Sequence, residues 1–187
     1  MSTGSSPAAT AVTYKVDPAH SSVDFRVRHL MIANLRGEFS GVAGTVLFDS
    51  SNPANSKVEA EIDAATINTR DARRDQHVKA AEFLDVEKYP KIRFVSTRIA
   101  AAGKDRWKIT GDLTVHGVTK EATLDVEGPS PETKDPFGNV KIAAVATGKF
   151  HRKDYGLTWN VPLEAGGVLV GDEVSLHLEI ELTRQPA

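Results

Sequence analysis

The sequence predicts an all-β fold, built as an antiparallel sandwich or barrel of roughly eight strands. Three observations predict it. Hydrophobic and polar residues alternate with a period of two along most of the chain. Polar segments rich in glycine, proline and aspartate separate the alternating runs. Only one segment of more than two turns is typical of an α-helix.

Each alternating run is predicted to be one strand. In DEVSLHLEIELTR (172–184), every second residue from Val174 to Leu182 is hydrophobic, with polar residues between them. A strand with one buried face explains this spacing. The other strands are predicted, in chain order, at 21–29, 37–49, 57–63, 91–99, 106–115, 120–128 and 138–150.

The connections agree with this assignment. His116 and Gly117 predict a tight hairpin turn, because both residues tolerate positive φ. Residues 71–80 predict a helix with Asn68 or Asp71 as its N-cap, and residues 29–35 predict a shorter helical turn. Two short helices cannot cover the apolar face of such a sheet. The sheet must therefore pack on a second sheet or close on itself.

The inferred inner face carries small residues as well as aromatic ones. Small residues in a barrel of about eight strands leave room for one small ligand. They also allow two sheets to approach closely, and the residues alone favour neither interpretation. The small residues concerned are Ala60, Gly111, Ala122, Ala144, Ala146 and Gly148.

Composition excludes several classes of protein. The 187 residues carry a formal charge of −2 with no basic stripe, which argues against nucleic-acid binding. No apolar run approaches the ~20 residues of a membrane span. The absence of cysteine excludes disulfides and thiolate catalysis. We expect a disordered tail at 1–12 and a single domain at 13–187. Without a basic, then apolar, N-terminal region, we expect a cytoplasmic protein, with a periplasmic or secreted location as the alternative.

One cluster suggests chemistry. Asp71, Asp75 and His77 suggest a metal-dependent or acid/base enzyme. On a helix, however, Asp75 and His77 point about 200° apart, whereas capping and ion pairs explain all three residues. No nucleophile-elbow or HExxH motif is present. We therefore expect no catalytic residue, no metal and no cofactor, and keep the enzyme as an alternative.

Five segments together resemble the YceI-like family of polyisoprenoid-binding, lipocalin-like barrels. They lie at 14–49, 67–97, 109–127, 150–160 (FHRKDYGLTWN) and 170–182. The resemblance implies an eight-stranded antiparallel β-barrel capped by one or two short helices. It also implies an apolar lumen for a long-chain isoprenoid lipid, such as an isoprenoid quinone or a polyprenyl phosphate, and a possible homodimer.

The leading hypothesis is non-enzymatic binding, carriage or storage of that lipid. A filled barrel that works as a protein-interaction module is the further alternative. Phe83 and Leu84, which follow the predicted helix, are expected to plug the cavity. The other predicted wall residues are Phe25, Val27, Phe39, Phe94, Leu113, Leu124, Ile142, Trp159 and Leu178.

Overall fold

The computed structural model describes residues 11–186. Most of the regular secondary structure in this part of the chain is β-strand, with one α-helix, α1, at Ala72–Lys79. The all-β prediction is confirmed. The strands are β1 (Ala11–Val16), β2 (Ser22–His29), β3 (Ala33–Phe39), β4 (Val42–Asp49), β5 (Lys57–Asp63), β6 (Ile67–Asn68), β7 (Lys91–Gly103), β8 (Arg106–Val115), β9 (Val118–Glu127), β10 (Thr133–Lys134), β11 (Val140–His151) and β12 (Val170–Arg184).

Eight of these strands close into a barrel. The ring runs β1-β4-β5-β7-β8-β9-β11-β12, and β12 pairs back onto β1. Every pairing is antiparallel. The longest pairing of β12 is with β11 and extends from the Lys141–Thr183 pair to the His151–Glu173 pair. The eight-stranded antiparallel barrel is therefore confirmed, and a closed ring leaves no free sheet edge between these strands.

The membership of the ring differs from the predicted set of strands. One edge of β12 pairs with β1 near Leu182 and with β2 from Val170 to Glu179. The hairpin of β2 and β3 therefore branches from the barrel beside β1 and extends its wall. Strand β1 was absent from the predicted strands, and its Ala11 and Val12 lie in the predicted tail. Residues 1–10 of that tail lie outside the described residues.

The predicted helical turn at 29–35 is wrong. β2 runs to His29 and β3 begins at Ala33, so a three-residue hairpin turn joins them. Leu30 and Met31 in this turn have φ values of +52° and +62°. The apolar run suggested a helix because a turn with positive φ usually carries glycine or asparagine.

The two other local predictions are confirmed. Asp71 is the N-cap of α1, and its Oδ1 accepts hydrogen bonds of 3.0 Å from the backbone N–H groups of Arg73 and Arg74. These bonds lower the pKa of the Asp71 carboxyl. His116 and Gly117 form the turn between β8 and β9, with φ values of +51° and +72°. Within residues 11–186, no helix has the length and hydrophobicity that crossing a membrane requires.

The small inward residues have two roles, and neither is the approach of two sheets, because the described strands form a single sheet. A Cβ atom at Gly111 would lie 2.7 Å from Cζ of Phe94, and one at Gly148 would lie 2.6 Å from Cδ2 of Leu124. These glycines let a neighbouring side chain lie flat across the strand. The alanines, by contrast, border empty space inside the barrel. They are Ala60, Ala122, Ala144 and Ala146.

Candidate functional site

The barrel encloses a cavity of about 450 Å³. This is about three times the ~150 Å³ of an engineered apolar cavity that admits benzene, and it lies within the range of small-molecule sites. Aliphatic and aromatic side chains from the ring strands, β2 and β3 form most of its lining. The protein-interaction alternative required a filled barrel, and the interior is not filled.

All of the predicted wall residues line this cavity. Phe25 and Val27 reach it from β2 and Phe39 from β3, while Trp159 reaches it from the segment between β11 and β12. That these side chains contact a ligand stays a prediction. The remaining predicted residues in the lining are Phe83, Leu84, Phe94, Leu113, Leu124, Ile142 and Leu178.

Three aromatic rings meet where α1 covers one end of the barrel, which we call the helical end. The His77 ring centroid lies 5.1 Å from that of Phe83 and 4.8 Å from that of Trp159, and the latter two are 5.1 Å apart. His77 lines the cavity although 38% of its side chain is exposed. The cluster therefore stands at the boundary between the cavity and solvent.

The predicted plug lies at this boundary. Leu84 is buried, and its N–H donates to the Val78 carbonyl over 3.0 Å, which ties the segment after α1 back to the helix. Phe83 is half-buried between the rings of His77 and Trp159. Nε2 of His77 lies 2.9 Å from Oε2 of Glu82. The plug is thus held by packing, by backbone hydrogen bonds to α1 and Ala80, and by the contact of His77 with Glu82, rather than by strand pairing.

Polar groups beneath α1 fix the helix to the barrel. The buried Thr69 donates to Oδ1 of Asp75 from its N–H (2.8 Å) and from its Oγ1 (2.6 Å). Arg74 donates from Nε to Thr69 Oγ1 over 2.8 Å and from Nη2 to the Thr69 carbonyl over 2.7 Å. Asp75 and Arg74 therefore hold α1 against the residue that follows β6.

Asp71, Asp75 and His77 serve separate partners. Asp71 caps α1, Asp75 accepts from Thr69, and His77 stacks at the helical end. Within residues 11–186, one group of three acidic or imidazole side chains has ligand atoms within 4.8 Å of one another, and it is a different group. The structure thus does not bring the three residues of the enzyme alternative to one point.

That other group comprises Asp17, His20 and Glu181. The Lys141 ammonium donates to Oδ2 of Asp17 over 2.5 Å and to Oε1 of Glu181 over 2.6 Å. The hydrogen bond from Lys141 holds the pKa of the Asp17 carboxyl well below its usual range, and the same bond raises the pKa of Lys141. A lysine therefore supplies the positive charge here, and the group ties β11 and β12 to the segment after β1.

Sequence reasoning missed Arg152, whose side chain is only 3% exposed and lines the cavity. Its Nη1 donates to the carbonyls of Leu157 (2.6 Å) and Trp159 (2.9 Å). Its Nε donates to Gly171 (2.8 Å) and its Nη2 to Val170 (3.2 Å). Burial lowers the pKa of this guanidinium. Arg152 fastens the segment that carries Trp159 to the start of β12.

Comparisons with known proteins agree on one family. Residues 14–182 match the family model described as YceI-like domain. Protein YceI of Shigella flexneri is 37% identical over 183 residues, covering 97% of this chain and 92% of that protein. A UPF0312 protein of Staphylococcus aureus is 32% identical over 170 residues, covering 91% of this chain and 96% of that protein.

Two solved structures share the fold. The YceI protein of Campylobacter jejuni superposes with a TM-score of 0.69 at 29% identity, covering 85% of this chain and 90% of that one. A polyisoprenoid binding domain from Saccharophagus degradans gives a TM-score of 0.65, covering 93% and 99%. At 14% identity, the second likeness shows the fold alone.

Proposed function

The chain belongs to the YceI-like domain family, and from that premise we propose that it binds a long-chain isoprenoid lipid inside its barrel without catalysing a reaction. The single observation that carries the proposal is the apolar cavity of about 450 Å³ within the closed ring. The description of the Saccharophagus degradans domain as polyisoprenoid binding supports the choice of ligand.

The energetics favour a long hydrocarbon chain. Each buried CH₂ group contributes about 0.8 kcal/mol, so one five-carbon isoprene unit contributes about 4 kcal/mol. Three such units contribute about 12 kcal/mol, whereas a micromolar complex requires a binding free energy of ~8 kcal/mol. The difference offsets part of the entropy lost on binding. An apolar wall therefore gives affinity without specific polar contacts.

Polar groups at the helical end favour a head group there. Arg74, His77 and Arg152 line the cavity among mostly apolar side chains. An isoprenoid quinone presents carbonyl oxygens and a polyprenyl phosphate presents phosphate oxygens, and both kinds of oxygen accept hydrogen bonds from such donors. We propose that the head group lies beside these residues and that the tail extends along the barrel.

The test is to identify what the protein holds. Protein purified from its source would be analysed by native mass spectrometry and by organic extraction, with delipidated protein as the control. We expect one prenyl lipid per chain, which delipidated protein takes up again and returns unchanged. An extract without prenyl lipid, together with no uptake by the delipidated protein, would refute the proposal.

The same samples distinguish the enzyme alternative. A stoichiometric metal ion, or a lipid recovered in a chemically altered form, would favour an enzyme. Carriage differs from storage in exchange: a carrier releases its lipid to acceptor vesicles and a store retains it. The cytoplasmic location and the homodimer stay predictions.

A further inference from the structure

Exposed hydrophobic residues cluster at the helical end. Seven large hydrophobic residues are exposed in the described part of the chain, and four of them lie at this end. They are Leu30 (38% exposed), Met31 (49%), Ile32 (77%) and Val161 (42%). We call these four residues the apolar edge.

The apolar edge is one surface formed by two adjacent turns. The N–H of Leu30 donates to the Leu169 carbonyl over 2.8 Å, and the N–H of Leu169 donates to the Val161 carbonyl over 2.9 Å. A Cβ atom on Gly167 would lie 3.0 Å from Cγ of Met31. The turn between β2 and β3 therefore lies against the small hairpin at 161–169.

The backbone of the turn between β2 and β3 is unusual for the residues that it carries. Leu30 and Met31 adopt positive φ, which side chains larger than asparagine rarely occupy without a structural or functional reason. Neither side chain is buried, although burial is the usual reason for placing leucine or methionine in a turn. An unfavourable backbone and an exposed apolar surface at one site together indicate a binding partner.

The apolar edge continues directly into the wall of the cavity. His29 precedes Leu30, Leu169 ends the 161–169 hairpin and Val170 follows it; all three residues line the cavity. Next to the edge, Nε of the exposed Arg28 donates to the Met31 carbonyl over 3.2 Å. Hydrophobic side chains beside a cation match the boundary between acyl chains and phosphate groups in a bilayer.

We propose that the apolar edge docks onto a lipid bilayer and holds the helical end of the barrel against it. An isoprenoid chain then passes between bilayer and cavity without crossing water. This inference rests on the proposed function for its ligand, but docking itself depends on surface residues that lie outside the cavity.

The experiment is flotation of the full chain with vesicles of phosphatidylcholine and phosphatidylglycerol. We expect Ile32→Ser to lower the bound fraction about tenfold, because burial of one isoleucine side chain contributes at least that factor. Phe137→Ser is the matched control, since Phe137 is 90% exposed in the loop between β10 and β11. It should bind vesicles as the unaltered protein does. Vesicles of phosphatidylcholine alone should bind less protein, because Arg28 then has no anionic surface to face.

Three results of the flotation assay would overturn the inference: no flotation of the unaltered protein, an equal loss in both variants, or an Ile32→Ser variant that binds vesicles normally. If Ile32→Ser instead separates a dimer in the absence of vesicles, the apolar edge is a contact between two copies and the inference is wrong. Uptake of prenyl lipid from detergent is measured in parallel. Lost docking with normal uptake is expected for Ile32→Ser and also shows that the variant is folded.

The complementary variant separates this inference from the proposed function. Ala146→Phe places a ring in the cavity and leaves the apolar edge unaltered. If the unaltered protein docks on vesicles but takes up no lipid, the proposed function is refuted and the docking inference is not. Normal uptake without docking would refute the present inference alone.

Discussion

Filling the cavity from one wall position tests the proposed function most directly. Ala146 lies on β11, pairs with Leu178 of β12 and lines the cavity. Ala146→Phe adds six carbon atoms to this space, about the size of one isoprene unit. Expulsion of one such unit removes at most about 4 kcal/mol of burial, which is on the order of a thousandfold in Kd. Because a flexible chain can retract and keep some contacts, we expect a loss between tenfold and that limit.

The two tryptophans of the chain report on binding. Trp107 and Trp159 both line the cavity, so an isoprenoid quinone bound there quenches their fluorescence. Val145→Phe is the matched control, because Val145 precedes Ala146 on the strand and is exposed on the outer face. Both variants should unfold within about 1 kcal/mol of the unaltered protein, since neither new ring enters a packed site.

Two results would refute this reasoning. Ala146→Phe with an unaltered Kd would show that the lipid does not occupy this part of the barrel. An equal loss of affinity in Val145→Phe would show that the effect arises from the strand rather than from the cavity. A prenyl lipid with a shorter tail binds more weakly. It should also be less sensitive to Ala146→Phe, because its tail need not extend as far as residue 146 of β11.

The remaining predictions concern two polar groups. Arg152→Met removes the hydrogen bonds that Arg152 donates to four carbonyl groups, of which the Val170 carbonyl alone keeps a second side-chain donor, Asn160. It should lower the free energy of unfolding by about 3 kcal/mol in urea. Lys153→Met, at an exposed neighbour, is the control, and equal stabilities would refute the assigned role. Asp17 has a lowered pKa, so its folded carboxyl binds protons less readily than the unfolded one. Its contribution to stability is therefore present above about pH 4 and lost as the pH falls through the folded pKa. Lys141→Met should reduce this acid-dependent loss in urea midpoints measured against pH, and an unchanged profile would contradict the pairing.

Period-two alternation predicted most of the fold because a barrel has one buried face per strand. It identified the long strands, such as β12, and placed the predicted wall residues that lie on strands on the cavity side. The alternation pattern failed at two places, the turn after β2 and strand β1. Residues 29–35 form a hairpin tip with leucine and methionine at positive φ, so the usual glycine or asparagine turn signal is absent. The short β1 follows directly on a segment with no alternation, which concealed it.

Arg152 could not be predicted for a different reason. It stands in the run His151-Arg152-Lys153, where three adjacent basic residue types look alike in sequence. Which one is buried depends on carbonyl groups at Leu157, Trp159, Val170 and Gly171, and these come together only in the folded barrel. Whether the small inward residues border a lumen or allow close packing could not be predicted from the sequence for the same reason. It is decided by whether a large side chain from the neighbouring strand lies over each small residue.

The number of strands in the ring has a consequence for selectivity. The circumference of a closed eight-stranded barrel is set by the hydrogen bonds between its strands. The barrel cannot widen without breaking the pairing of two strands. The closed ring therefore limits the cross-section of any molecule that lies in the cavity of about 450 Å³. Under the proposed function, this fixed circumference favours one slender chain along the axis over two chains side by side.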